Sequence, residues 1–232
     1  SILRQMKEVL EPSRPSLRKV VVSSDFKGYK DQFVVGEARK AFPDGKRRVL
    51  VLLEPESVKG NTYLFCEREK QPNLMYAYFP VIRRVREMMP VQLYGHFLGT
   101  DFTYADLGFV RLHEHYRLLG EEEHGGNRAY KVEEEFPREA LYYSRIIIWV
   151  AADSFLPLRR DYYDTEGRLW KTELFKEVVT INNVPTPLLI RMKDRDGGST
   201  DFKVTKVEYD VKLPDDLFNP NLLPKVINSP LW

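Results

Sequence analysis

Few residues in this chain stand at spacings that suggest chemistry. His113-Glu114-His115 would place two imidazoles on one face of a strand, the start of a tetrahedral metal site. Two ligands do not complete one. With His124 and Glu121 to Glu123 nearby, ordinary solvated histidines account for the cluster. Asp101 and Asp106 are a possible carboxylate pair, but helical neighbours lie three or four positions apart, so a helix cap at Asp101 is the simpler explanation. Cys66 is the single cysteine, which excludes an intramolecular disulfide and a cysteine metal cluster, and it reads as a small packing residue in a strand. Walker loops, dinucleotide fingerprints, Gly-x-Ser-x-Gly elbows and His-Glu-x-x-His are absent, so no catalytic residue, metal or cofactor is assigned.

Arginines offer a different chemistry. Arg83, Arg84 and Arg86 follow the aromatic stretch Tyr76, Tyr78, Phe79 and Pro80, and on a strand Arg84 and Arg86 share a face. Their guanidinium forks could hold an anionic headgroup at the rim of an apolar cavity. Alternatively, they form a solvated strand face paired with Glu121 to Glu123 or Glu133 to Glu135.

The elements that would position these groups are mostly strands. Ile2, Leu3, Met6, Val9 and Leu10 have helical spacing, and Pro12 and Pro15 end a short helix over residues 1–11. Runs rich in β-branched and aromatic residues follow, punctuated by Lys27-Gly28, Pro43-Asp44-Gly45, Asp164 to Gly167 and Asp194 to Gly198. The pattern predicts about 11–12 antiparallel strands forming a single open barrel over residues 1–232. The exception is Phe97 to Leu107, where Gly99 permits a sharp turn and Phe102, Tyr104 and Leu107 give a short helical piece over residues 100–108 a large apolar surface. In the strand around Trp170, the alternation sets Trp170, Thr172 and Leu174 as an apolar face against Lys171, Glu173 and Lys176. An apolar sheet face must be covered, and barrel closure with the two helical pieces as a plug would cover it.

Thirty-six basic against 34 acidic residues leave a formal net charge of +2, so a global attraction to nucleic acid has no support. No apolar run reaches the length of a membrane-spanning helix; the stretch Ile146 to Ala152 is strand-sized.

Three motifs in order carry a resemblance: Lys59-Gly60-x-x-Tyr63-Leu64, Tyr78-x-Pro80-x-x-Arg83-Arg84-Val85-Arg86, and Phe97-Leu98-Gly99-Thr100-Asp101-Phe102-Thr103-Tyr104-x-Asp106-Leu107. Leu156-Pro157-Leu158-Arg159, Tyr163-Asp164 with Gly167, and Leu217-Phe218-x-Pro220-x-x-Leu223 agree in order. Together they resemble the outer-membrane lipoprotein-sorting protein family, the longer branch of the LolA/LolB-like superfamily. The resemblance implies an incomplete antiparallel β-barrel capped by helices, with an apolar cavity carrying an acyl chain through the periplasm. It implies a removed signal peptide, with which a first residue of Ser1 agrees, and the soluble carrier type, since no cysteine stands at the start. It also suggests an inner-membrane lipid transporter as partner. No arginine here matches the gating arginine of the short lipoprotein carriers.

On that expectation the cavity and lid comprise Tyr76, Tyr78, Phe97, Phe102, Tyr104, Leu107, Ile146, Ile148 and Trp170, with Arg84 and Arg86 at the headgroup. Each apolar member could equally be plain core. The alternative function is a ligand-free accessory module of a lipid-exporting transporter, its interior filled by side chains.

Overall fold

The computed structural model describes residues 1–68, 71–110, 115–137 and 142–232. Among them lie thirteen strands: β1 (Ser16–Phe26), β2 (Tyr29–Phe42), β3 (Gly45–Glu54), β4 (Thr62–Cys66), β5 (Leu74–Phe79), β6 (Arg84–Glu87), β7 (Tyr116–His124), β8 (Asn127–Glu135), β9 (Arg145–Ala151), β10 (Pro157–Tyr163), β11 (Leu169–Ile181), β12 (Val184–Asp194) and β13 (Gly198–Tyr209). The four-residue β6 is the strand that apolar alternation does not mark, because Arg-Val-Arg-Glu has one apolar side chain. Lys27-Gly28 and Asn182-Asn183 both take positive φ at two central positions, the requirement of a two-residue hairpin whose twist matches its strands.

All thirteen strands form one antiparallel sheet in the order β6-β5-β4-β3-β2-β1-β13-β12-β11-β10-β9-β8-β7. The chain starts mid-sheet at β1, meanders out to β6, crosses to the far edge at β7, and meanders back until β13 closes onto β1. Strands β6 and β7 do not pair, so the sheet is open. The crossing link holds two short 3₁₀ turns, Pro90–Tyr94 and Phe97–Gly99, and a one-turn helix α2 (Tyr104–Leu107).

Each face has its own cover. On the inner face, Val20, Val22, Val35, Leu50 and Leu52 of one wing and Ile146 and Ile148 of the other join one buried cluster with Phe97, Phe102 and Leu107 of the link and Leu3 and Met6 of the N-terminal helix α1 (Ile2–Leu10). On the outer face, Ala38, Val49, Val51, Leu64 and Cys66 pack under the C-terminal 3₁₀ segments Asp215–Phe218 and Pro220–Asn228 through Leu217, Phe218, Leu223 and Val226. Covering on both sides explains why Val49 to Leu53 is a continuous apolar run rather than an alternating one. Cys66 is buried in β4, and that burial pushes its thiol up to about 11.

Candidate functional site

Within the link between the sheet's two edges, residues 97–109 pack over the inner face in the position of a lid, while Pro90–Tyr94 holds no buried residue. Backbone turns shape it: Leu98 and Gly99 both take positive φ, reversing the chain so that Phe97 N–H reaches the Phe102 carbonyl at 2.8 Å. Phe97 is fully buried against Tyr63, Tyr104 and Phe202, and Phe102 packs on Phe202 with ring centroids 4.6 Å apart.

Thr103, and not Asp101, caps α2. Its hydroxyl accepts from the Asp106 amide at 3.2 Å while the Asp106 carboxylate accepts from the Thr103 amide at 2.7 Å, a reciprocal capping box. Asp101 instead accepts from the Thr200 hydroxyl at 2.7 Å, tying the lid to β13. Thr103→Ala is therefore expected to cost about 0.5–2 kcal/mol by urea unfolding, the loss that cap chemistry alone would have assigned to Asp101.

Asp106 does more than cap. Its second carboxylate oxygen accepts from Tyr143 at 2.9 Å, and Lys171 Nζ lies 2.5 Å away, with side chains only 1% and 2% exposed. Lys171 is further enclosed by the rings of Tyr143, Tyr162 and Trp170, 5.0–5.4 Å from its nitrogen. A third tie joins Arg48 Nη1 to the Leu107 carbonyl.

The inner face thus buries charge as well as apolar surface. Besides Lys171 and Asp106, the interior holds Glu173, which accepts from the Tyr162 hydroxyl at 2.6 Å and pairs with Arg160 at 3.5 Å, and a cluster of Arg18, Glu37, Arg39 and Arg48. Burial would raise the Glu37 carboxyl, but the surrounding Arg39, Arg48 and Arg18 charges prevail and hold it at about 2, against an ordinary 4.5. A depressed carboxylate stabilises the fold fully above its unfolded value. The Glu37 contribution should therefore be lost as pH falls from about 4.5 towards 2. Acid titration of stability checks this, with Glu37→Gln lacking that part of the slope.

The expected site residues divide. Phe97, Phe102, Leu107, Ile146 and Ile148 come together in the buried inner cluster, with Tyr104 and Trp170 half-buried against it. Tyr76 and Tyr78 do not join them. Within β5 it is Met75 and Ala77 that point inward, while Tyr76 and Tyr78 lie on the outer face under the C-terminal segment. Arg84 and Arg86 pair across the ladder with the inward Phe79 and Ala77, so they occupy the inner side of the edge strand, exposed at the open seam. Of His113-Glu114-His115, the first two lie outside the described residues.

The face of β11 is inverted relative to its expected reading. Lys171, Glu173 and Phe175 are buried inward, and Thr172 and Leu174 are half-buried on the other side. A register shift beside Tyr162 leaves Trp170 without a partner on β10 and turned against Tyr143. Sequence reasoning missed Lys171, Glu173, Arg160, Arg18, Glu37 and Arg48. The available signal was charge inside strands that lie well within the sheet, as at Arg18 in β1, Glu37 in β2 and Arg159-Arg160-Asp161 in β10.

Two cavities formed by the described residues border the lid. One of about 90 Å³ lies among α1, β1–β3, β13 and the lid, and one of about 140 Å³ is lined by Met6, Tyr94, Phe109, Tyr143, Ile146 and Ile148.

A family model described as that of an uncharacterized protein matches residues 44–225. No curated protein matches. Among solved structures, an outer membrane lipoprotein-sorting protein domain from Vibrio parahaemolyticus superposes with a TM-score of 0.89 at 20% identity, covering 96% of this chain and 97% of that one. A DUF1329 family protein from Desulfovibrio piger gives 0.87 at 28% identity, with 96% of each chain covered. A LolA superfamily protein from Nitrosomonas europaea gives 0.74 at 19% identity, covering 94% and 96%.

Proposed function

Because the chain belongs to the family whose model it matches, with the fold of the outer-membrane lipoprotein-sorting proteins of the LolA/LolB-like superfamily, we propose that it is a periplasmic carrier that shelters a lipid or lipoprotein acyl chain. The observation that supports this most is the lid. The apolar cluster of the inner sheet face, and the buried charged pairs beside it, are covered by one short link tied down at Asp101, Asp106 and Leu107 together with helix α1, rather than by a second layer of strands. Displacing that link exposes a ready-made apolar trough between β6 and β7.

An acyl chain in water costs about 0.8 kcal/mol per methylene, so a carrier needs only to offer equivalent dry surface. The walls would be Ile146, Ile148 and Trp170, with Phe97, Phe102, Tyr104 and Leu107 moving as the lid. Arg84 and Arg86, on the inner side of the seam, would meet the headgroup. The chemistry is binding and release, not catalysis.

Cavities of about 90 and 140 Å³ are smaller than the roughly 300–1,000 Å³ of ligand pockets, so cargo must displace the lid. That filled interior favours a second reading, a ligand-free accessory module docking on an inner-membrane lipid transporter. Solvent extraction of the purified protein with mass spectrometry, together with titration of a fluorescent fatty acid, separates the two. Co-purifying lipid or saturable uptake supports the carrier. A lipid-free protein that takes up no probe but captures the transporter supports the module.

A further inference from the structure

Three guanidinium groups crowd one carboxylate on the inner face. Cross-strand register sets Arg18 of β1 opposite Glu37 of β2, and Arg39 of β2 opposite Arg48 of β3. Glu37 accepts from Arg39 and lies 3.6 Å from Arg18 Nε. The other carboxylate acting on Arg48, Glu11, is already engaged by Lys7 at 2.9 Å and by the Val110 amide at 2.8 Å.

Donors are consequently left over. Arg18 is 8% exposed and Arg48 7%, and among the described residues each keeps an Nε–H with no acceptor. Arg160, 8% exposed on the opposite wing, keeps Nε and Nη2. All three line the same cavity of about 90 Å³, together with Leu50, Phe102 and Val204 and with four carboxylates, Glu11, Glu37, Asp106 and Glu173, each already engaged by Lys7, Arg39, Lys171 and the Tyr162 hydroxyl respectively. Buried charge and buried unpaired donors are costly, and the planar guanidinium fork matches a carboxylate or phosphate. At about 30 Å³ per water, the space equals roughly three waters, enough for an oxyanion but not for a long acyl chain.

We propose that this cavity is an oxyanion site in which Arg18, Arg48 and Arg160 hold a carboxylate or phosphate group. The group is either a free anion or the acidic end of an amphiphile whose first methylenes meet Leu50, Phe102 and Val204. The site goes beyond the carrier reading, since a free anion could fill it without any acyl chain in the trough.

Thermal unfolding of the whole chain tests it, with phosphate, decanoate or decanol added and chloride matched for ionic strength, in wild type and Arg48→Met. At roughly 100-fold excess over its Kd, a bound anion should raise Tm by about 5–10 °C, and Arg48→Met should lose most of that rise. A rise with phosphate identifies a free anion; one with decanoate but not phosphate identifies the acid end of an amphiphile. A rise with decanol alone overturns the proposal while leaving the carrier reading standing. An equal rise in wild type and variant also overturns it, because general salt exclusion needs no Arg48. Should Arg48→Met fail to fold, Arg160→Met, on the opposite wing, is read in the same way.

Discussion

Replacing Lys171 by alanine is expected to lower the unfolding free energy by about 3–5 kcal/mol, measured as a reduced urea midpoint at unchanged slope. The side chain is 1% exposed and its ammonium is 2.5 Å from Asp106. Removing it leaves the buried Asp106 carboxylate, among the described residues, with Tyr143 and the Thr103 amide as its remaining donors. The penalty comes from that abandoned charge more than from lost attraction, so Asp106→Asn should hurt by a similar mechanism, leaving Lys171 unpaired. The double variant K171A/D106N should recover over half of the combined loss, because neither charge then remains. Simple addition of the two single losses would argue against a coupled pair. Hydrogen exchange supplies a local readout. If the pair latches the lid, amides of residues 97–107 should exchange faster in either single variant than amides of β1 and β2.

The second large effect is expected at Phe97→Ala, a loss of about 3–5 kcal/mol. Phe97 is fully buried and meets Tyr63 and Tyr104 edge-on at 5.5 and 5.7 Å, and Phe202 tilted at 6.2 Å. Its neighbours come from β4, α2 and β13, which cannot all close inward without moving the sheet, so most of the vacated volume stays empty. In the carrier reading this variant combines lower stability with greater uptake of an alkyl probe, since part of the plug is gone. Lower stability with no gain in uptake would favour the filled accessory module. The two outcomes are read in one titration beside one unfolding curve.

Much of the architecture was legible in local chemistry. Alternating apolar residues, Lys27-Gly28 and Asp164 to Gly167 announce strands and their turns, and the helical spacing of Ile2 to Leu10 announces α1. The aromatic density of Phe97 to Leu107 marked the lid. Local chemistry was silent about the C-terminal segment that covers Tyr76 and Tyr78, because two 3₁₀ stretches with Pro220 and Pro224 carry no long helical period. The cap lies at Thr103 rather than at Asp101, since both residue types cap helices and positions two apart cannot be told apart without the backbone.

Strand β11 marks the division between what the chain determines locally and what folding decides. Lys171 and Glu173 alternate with Thr172 and Leu174, so the sequence by itself determined that this strand has a charged face and a less polar one. Period two says which side chains go together and not which side faces in. Only the tertiary structure turned the charges inward. It could do so because partners arrive there: Asp106 from the lid, far away in sequence, for Lys171, and Arg160 and Tyr162 from the neighbouring hairpin strand β10 for Glu173. A buried charge is tolerated when its counter-charge and hydrogen bonds are delivered with it. For Lys171 that delivery depends on the crossing from β6 to β7, which carries Asp106, a property of topology that no short window of sequence contains.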